Sequence, residues 1–277
     1  MNLYNRKPLE VKKGIPFFTR PDEYTQNYED ISSDHTQSTE DIDSNPWIPI
    51  DIWNEMESST IDIFTKHSNV RNKKQKLKLL DVGVGLGRLL EKLCSDHKNI
   101  DAYGMDISMS YLQVAKSKGI DVCYSKIEDM PYCDEYFDVI LCTDVLEHVI
   151  DLNFCVKKIM SVLKKGGLLI IRVPHREDLS PYLDPNYPYE LAHVRNFDRS
   201  NLEALFTKIF SHKVIEFASG LYQKRPDWLK YKLPFDLYFR VIFKFLKVLE
   251  KYFPNYERKI VRKLFYPIEI NVVVKKY

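Results

Sequence analysis

Five cysteines in 277 residues, none of them in a C-x-x-C pair, leave no disulfide framework to read. Cys94, Cys123, Cys133, Cys142 and Cys155 sit mostly within apolar runs, so buried free thiols in a reducing compartment are expected. Met1 to Pro8 lacks the apolar core of a secretion signal, and no uncharged apolar run reaches the length of a membrane span. A cytoplasmic location is therefore the expectation. No group of His, Cys, Asp or Glu has metal-ligand spacing along the chain, so no metal is expected. A net charge of only +2 gives no global attraction to nucleic acid. No internal repeat is apparent.

Charge is present but unevenly spread: the N-terminal portion is acidic, and the part after Gly220 is basic. Residues 1–46 are polar and show no long periodicity, which predicts a loosely structured arm; Phe17, Phe18, Tyr24 and Tyr28 leave room for a cover that orders over an active site. From Trp47 to His67 the apolar positions Ile50, Trp53, Met56, Ile61 and Phe64 predict an amphipathic helix. The basic run from Arg71 to Lys76 predicts a solvated loop. Then strands and helices alternate. Strands are expected at 101–105, 120–124, 137–142, 168–173, 213–218 and 268–274, with helices at 86–97, from Ser108, at 151–163 and from Asp198 or Ser200 to about Ile209. Phe137 to Cys142 does not alternate and reads as a fully buried parallel strand. The pattern implies a parallel sheet with helices on both faces, whose ligands gather beyond the carboxyl ends of the strands.

The stretch Lys78-Leu-Leu-Asp81-Val-Gly83-Val-Gly85-Leu-Gly87-Arg88 organises the chain. An apolar strand ends at a carboxylate, three glycines follow at alternate positions, and a helical pattern begins. Such a turn presents bare backbone and a helix N-terminus to an anionic or nucleotide-like group. The dinucleotide fingerprint would need glycine where Arg88 stands, and no phosphate-loop Gly-Lys-Ser/Thr is present. About twenty residues on, Tyr103-Gly-Met-Asp106 ends a second strand in an acid, suited to the two hydroxyls of a ribose.

With these motifs, roughly residues 77 to 175 resemble class I S-adenosylmethionine-dependent methyltransferases. The resemblance implies a Rossmann-like seven-stranded, mostly parallel α/β sheet. An N-terminal arm and cap helix (1–70) would precede the cofactor-binding core (71–219), with a helical insertion (220–267) before the final strand (268–277). It implies that Asp81, Gly83, Gly85 and Gly87 hold the methionine end of the cofactor and Asp106 its ribose, with Ile107 on one face of adenine. Ser125 to Pro131 matches the stretch that closes over the adenine edge, but Lys126 stands where that stretch usually has an acid, leaving the Ile127 backbone and Glu128 as substitutes. Thr143-Asp144-Val-Leu-Glu-His148-Val matches the segment where sulfonium and acceptor meet, and Thr143 and Asp144 are assigned to the cofactor.

Methyl transfer is an in-line displacement, so the protein must align the acceptor and remove its proton. His148 and His193 are the candidate bases, each set against a purely structural role, and His175 is a weaker third. The Asn/Asp-Pro-Pro-Tyr/Phe element of amino-directed nucleic-acid methyltransferases is absent, which counts against a nucleic-acid acceptor. A small molecule, a sugar or glycan precursor, or a quinone-like metabolite is expected. A protein or RNA methyltransferase, or a cofactor-binding pseudoenzyme or assembly partner, is the alternative. From Asp236 to Lys251 the charges Asp236, Arg240, Lys244, Lys247 and Lys251 form a narrow stripe on an otherwise apolar helix. Packing on the domain or on a homodimer partner is the first expectation for this face. Peripheral membrane contact through 233–253 is the second.

Overall fold

The computed structural model describes residues 2–38, 50–72, 76–190, 192–219, 236–265 and 267–277. The expectations for Trp47, for the end of the arm, for the middle of the basic run and for 220–235 of the insertion lie outside the described residues.

Among the described residues nine strands form one sheet: β1 (Glu10–Lys12), β2 (Ile15–Phe17), β3 (Leu77–Val82), β4 (Ile100–Asp106), β5 (Asp121–Tyr124), β6 (Phe137–Thr143), β7 (Leu163–Pro174), β8 (Lys213–Ala218) and β9 (Glu269–Lys275). Their order is β1-β2-β5-β4-β3-β6-β7-β9-β8. The five strands from β5 to β7 are mutually parallel, and β9 runs antiparallel between β7 and β8. This is the expected α/β sheet, and β8 and β9 are adjacent although some fifty residues separate them in sequence.

Two strands more than the expected seven are present, and both come from the arm. Lys12 pairs with Ile15, so Lys13 and Gly14 form a two-residue hairpin turn, with φ of 49° and 71°. Left-handed backbone at both central positions matches the twist of the flanking strands. β2 then adds to the edge at β5, where Phe17 stacks on Tyr124 at 4.3 Å. Strands of three residues carry too little pattern to be seen in sequence.

The helices are α1 (Glu23–Ser38), α2 (Ile50–His67), α3 (Arg88–Asp96), α4 (Met109–Ser117), α5 (Leu152–Val162), α6 (Arg199–Ala204), α7 (Asp236–Tyr252) and α8 (Pro254–Leu264). Residues 23–38 are thus a helix, not a loose arm. Buried apolar side chains fill both faces of the sheet. Leu80, Ile140 and Ile171 lie in one cluster, and Leu79, Leu141 and Ile170 in the other, as the alternation of a two-sided sheet requires.

Arg88, which breaks the dinucleotide fingerprint, fastens α3 to α2. Its Nε donates to Glu57 Oε1 at 3.0 Å, its Nη2 donates to Asn54 Oδ1 at 2.9 Å, and its guanidinium lies over Trp53. Arg88 and Glu57 are both buried, whereas Lys92, which also reaches Glu57, is only partly buried, with its side chain 39% exposed. Glu57→Ala should therefore lower stability by about 3 kcal/mol, because a buried guanidinium loses its carboxylate. Lys92→Ala should cost less than about 1 kcal/mol. Urea titrations of the two variants test the contrast.

In the insertion, α7 buries Leu246 and partly buries Ile242 against Val261 of α8 and Phe265 just after it. A second apolar stripe on α7 stays exposed, formed by Val241, Phe245, Val248 and Tyr252. Packing on protein thus accounts for only one side of the described helix.

Candidate functional site

The sheet order reverses around β3, which has β4 on one side and β6 on the other, and a crevice opens beyond the carboxyl ends there. It holds a cavity of about 260 Å³. Gly83, Gly85, Asp106, Ile107, Ile127 and Glu128 line it, as does Asp144, and His148 closes one side. Tyr24, Tyr28 and Ile31 of α1 form a wall from the arm.

The glycine turn is pinned from beneath: the N–H groups of Gly83 and Val84 donate to the Met105 carbonyl at 2.9 and 3.0 Å. Asp106 organises what stands above. Its Oδ2 accepts from Gly85 N at 2.9 Å, and its Oδ1 accepts from Ile107 N at 2.7 Å and Ser108 N at 3.0 Å. Burial pushes the Asp106 carboxyl up, against the pull of these three donors. The glycines differ in duty. Gly85, at φ 51°, has open space where a Cβ would be and offers bare backbone to the cavity. Gly83, at φ 75°, leaves no room, because a Cβ would run into Val145 Cγ2. Gly87 does not line the cavity among the described residues. A Cβ there would meet Ile120 Cδ1 at 2.6 Å, so this glycine serves close packing of α3 against the end of α4.

Asp81 lies beneath the turn, 2% exposed and not among the described residues that line the cavity, and its Oδ1 has no hydrogen-bond partner among the described residues. Burial drives its carboxyl well above the ordinary range, although Arg172 pulls the other way. An orphaned buried oxygen under bare glycine backbone, beside a carboxylate at the next strand tip, fits a ligand that brings an amino group and a ribose.

The arm also caps the helix that follows Asp106. Glu29 of α1 accepts from Met109 N at 2.6 Å and from Ser110 N and Oγ, capping α4 from outside its own chain segment. Ser32 hydrogen-bonds Ser108, and His35 Nδ1 lies 2.7 Å from Tyr111 Oη. Lys126, found where an acid was expected, pairs with Asp22 just before α1. Burial works to raise the Asp22 carboxyl, but the Lys126 bond and the Thr25 N–H hold it below its usual value. The arm thus brings a carboxylate that neutralises Lys126.

On the β6 side, Thr143 ends the strand without lining the cavity among the described residues. Asp144 stands in the left-handed region at φ 56°, a conformation an aspartate tolerates. Its N–H donates to the Arg172 carbonyl at 2.8 Å, and its carboxylate accepts from the buried Arg172 guanidinium. Asp144 is therefore tied to β7 more than it is aimed at a ligand.

His148 and His193 come together with ring centroids 4.6 Å apart, although some forty residues separate them. Val194 N donates to the Glu147 carbonyl at 3.0 Å, and the Arg195 guanidinium donates to the carbonyls of Leu146, Val149 and Ile150. These bonds bring the His193 loop to the segment after β6. His148 Nδ1 lies 3.3 Å from the Ala192 carbonyl and 3.2 Å from Tyr28 Oη, and His193 Nδ1 pairs with Glu177. Burial, with His193 beside it, drives His148 down to about 3, so it is neutral in the ordinary pH range. His175 is elsewhere, buried with its Nδ1 near the Pro267 carbonyl. Sequence alone did not single out Glu29, Glu147, Glu177 or Asp22. Only the spacing Tyr24, Tyr28, Ile31, with His35 one turn on, could have signalled a docking helix face.

Residues 80–171 match the Methyltransferase domain family. An uncharacterized protein of Methanocaldococcus jannaschii is 37% identical over 98 residues, which cover 35% of this chain and 45% of that protein. A ubiquinone biosynthesis O-methyltransferase of Pelagibacter ubique is 33% identical over 102 residues, covering 35% of this chain and 42% of the relative. The chain thus spans less than half the length of these curated relatives. Among solved structures, a magnesium protoporphyrin IX methyltransferase from Synechocystis with bound SAH superposes at a TM-score of 0.57 and 11% identity, over 91% of this chain and 98% of that one.

Proposed function

We propose that this chain, which carries a class I S-adenosylmethionine-dependent methyltransferase domain, transfers the methyl group of that cofactor to an oxygen or nitrogen of a small acceptor. The observation that carries the proposal is a single cavity joining the Asp106–Gly85 turn to His148. In this assignment Asp106 accepts from the ribose hydroxyls, Ile107 packs on adenine, and the Ile127 backbone with Glu128 meets the adenine edge. Gly83, Gly85 and the orphaned oxygen of Asp81 receive the methionine end. Asp144 and Arg172 hold the end of β6 in place, and the His148–His193 cluster stands where the acceptor must lose its proton.

Lys126 in the cavity wall is engaged by Asp22, and Arg195 on the His193 loop by three carbonyls, which favours a small acceptor over a polyanion. The aromatic wall of Tyr24 and Tyr28 suits a flat or sugar ring, and the named O-methyltransferase relative points toward a hydroxylated one. Calorimetry should show S-adenosylmethionine and S-adenosylhomocysteine binding without NAD. A cell extract given the protein and labelled cofactor should yield one labelled small molecule. Absence of both cofactors from the titration would sink the assignment, and label in RNA or protein would redirect it.

The exposed stripe of α7 gives the acceptor a setting. Val241, Phe245, Val248 and Tyr252 fall on one face, and Lys244, Lys247 and Lys251 flank it on one side. Such a face suits the surface of an anionic bilayer, near a lipid-linked or lipid-soluble acceptor. No described helix is long and apolar enough to cross a membrane. Lys244→Glu with Lys247→Glu should abolish sedimentation with anionic vesicles, since each lysine contributes about 1 kcal/mol near such a surface. Vesicle binding unchanged in that variant, or a dimer in sedimentation equilibrium, would assign the stripe to a protein partner.

A further inference from the structure

Glu147 is the least explained side chain near the cavity. It is 1% exposed, and neither carboxylate oxygen has a hydrogen-bond partner among the described residues. Leaving a buried carboxyl without partners costs several kcal/mol, so an absent partner is implied. The two histidines stand beside it. One ligand atom from each of Glu147, His148 and His193 lies within 4.8 Å of the other two.

The bonds around the histidines fix their chemistry. His148 Nδ1 lies 3.3 Å from the Ala192 carbonyl, which accepts only, and 3.2 Å from Tyr28 Oη, whose own proton goes to that carbonyl at 3.4 Å; with these partners Nδ1 carries the proton and Nε2 the lone pair. His193 Nδ1 faces the Glu177 carboxylate, which leaves Nε2 in the same state. Tyr182 Oη lies 3.4 Å from that Nδ1 and itself donates to Glu177 Oε1 at 2.8 Å. A ring nitrogen held by a carbonyl or carboxylate, with the other left basic, is the arrangement that orients metal-binding histidines. Spacing along the chain could not disclose this group, because His193 arrives from a separate loop.

We propose that Glu147, His148 and His193 bind a divalent cation of the zinc type. Two imidazoles and one carboxylate are a borderline-soft set, with a fourth position left open. The ligand atoms would close in by about an ångström on binding to reach metal–ligand distances near 2 Å. His148 lines the cavity, so the open position adjoins it. Resting on the methyltransferase assignment, the inference names the acceptor's class: it carries a hydroxyl whose oxygen fills that position. The cation lowers the hydroxyl's pKa, and its proton passes to water. The oxygen then forms its bond to the methyl carbon as the carbon–sulfur bond breaks and its electron pair leaves with sulfur. His193 thereby acts as a ligand and does not take up the proton itself.

The test is titration of the untagged full chain with Co²⁺ and, separately, Zn²⁺. The wild type should bind one equivalent, with visible d–d absorption in the cobalt form. Glu147→Gln and His193→Ala should each lose that absorption and at least a hundredfold in affinity. Glu177→Gln, acting through His193, should lose about ten- to a hundredfold. Circular dichroism identifies any variant that fails to fold, and for such a variant the Glu177→Gln result decides. No cobalt spectrum in the wild type, or equal binding in wild type and folded variants, would overturn the proposal. S-adenosylhomocysteine titrated into the same samples separates the two inferences. If it binds where cobalt does not, the cation fails alone; cobalt binding without it would defeat the methyltransferase assignment instead.

Discussion

Replacing Asp106 by Ala is expected to weaken S-adenosylmethionine binding by about 3 kcal/mol, more than a hundredfold. The size follows from two roles held by one carboxylate. Even without a ligand, its oxygens accept from the N–H groups of Gly85, Ile107 and Ser108, so the variant leaves three donors of the binding turn without their acceptor. In the proposed assignment the ribose hydroxyls lose theirs as well. Asp106→Asn should fall between, because an amide keeps one accepting oxygen but adds N–H donors that face Gly85 or Ile107. Calorimetry with S-adenosylhomocysteine measures both, and circular dichroism checks that the sheet survives. Unchanged affinity in the alanine variant would remove Asp106 from the cofactor site.

The same carboxylate marks where the sequence is legible. Asp81, the glycines and Asp106 belong to two consecutive strands and the turn between, so their relation is written in local spacing. Strands β3 to β7 are legible for a related reason: a parallel strand covered on both faces is an unbroken apolar run, as in Phe137 to Cys142. Legibility ends where tertiary contacts decide. Gly87 belongs to the motif by spacing, yet it meets Ile120 and Ala115, not the cavity. Lys126 looks like a lost acceptor until Asp22 arrives from a segment a hundred residues earlier. The arm was unreadable because α1 is polar on most sides and is ordered by what it caps. Glu29 meets α4, a contact to which no periodicity points, and Tyr28 meets His148, at which only the spacing of Tyr24, Tyr28 and Ile31 hints. The insertion was legible as a helix over 236–251, but not in which apolar stripe meets α8 and which stays exposed.

In His193→Ala, turnover should fall about a hundredfold or more while cofactor affinity stays within about twofold. The separation rests on the sheet. Asp106 ends β4 and the His148 segment follows β6, two strands away and so roughly 10 Å across the crevice. A change at the acceptor end therefore leaves the ribose and glycine-turn contacts in place. The turnover loss is expected whether the imidazole takes the acceptor's proton or holds a cation that makes that proton acidic, because both tasks need the Nε2 lone pair. Glu177→Gln tells them apart. If His193 becomes an imidazolium in the transition state, removing the carboxylate at its Nδ1 lowers kcat and shifts the acid limb of its pH profile. If His193 is a ligand, the same variant loses activity that added Zn²⁺ restores. The assays use the acceptor recovered from the labelled extract, with single-turnover rates measured at saturating cofactor. Near-full turnover in both His148→Ala and His193→Ala would mean that the chain supplies alignment alone, with proton removal left to water.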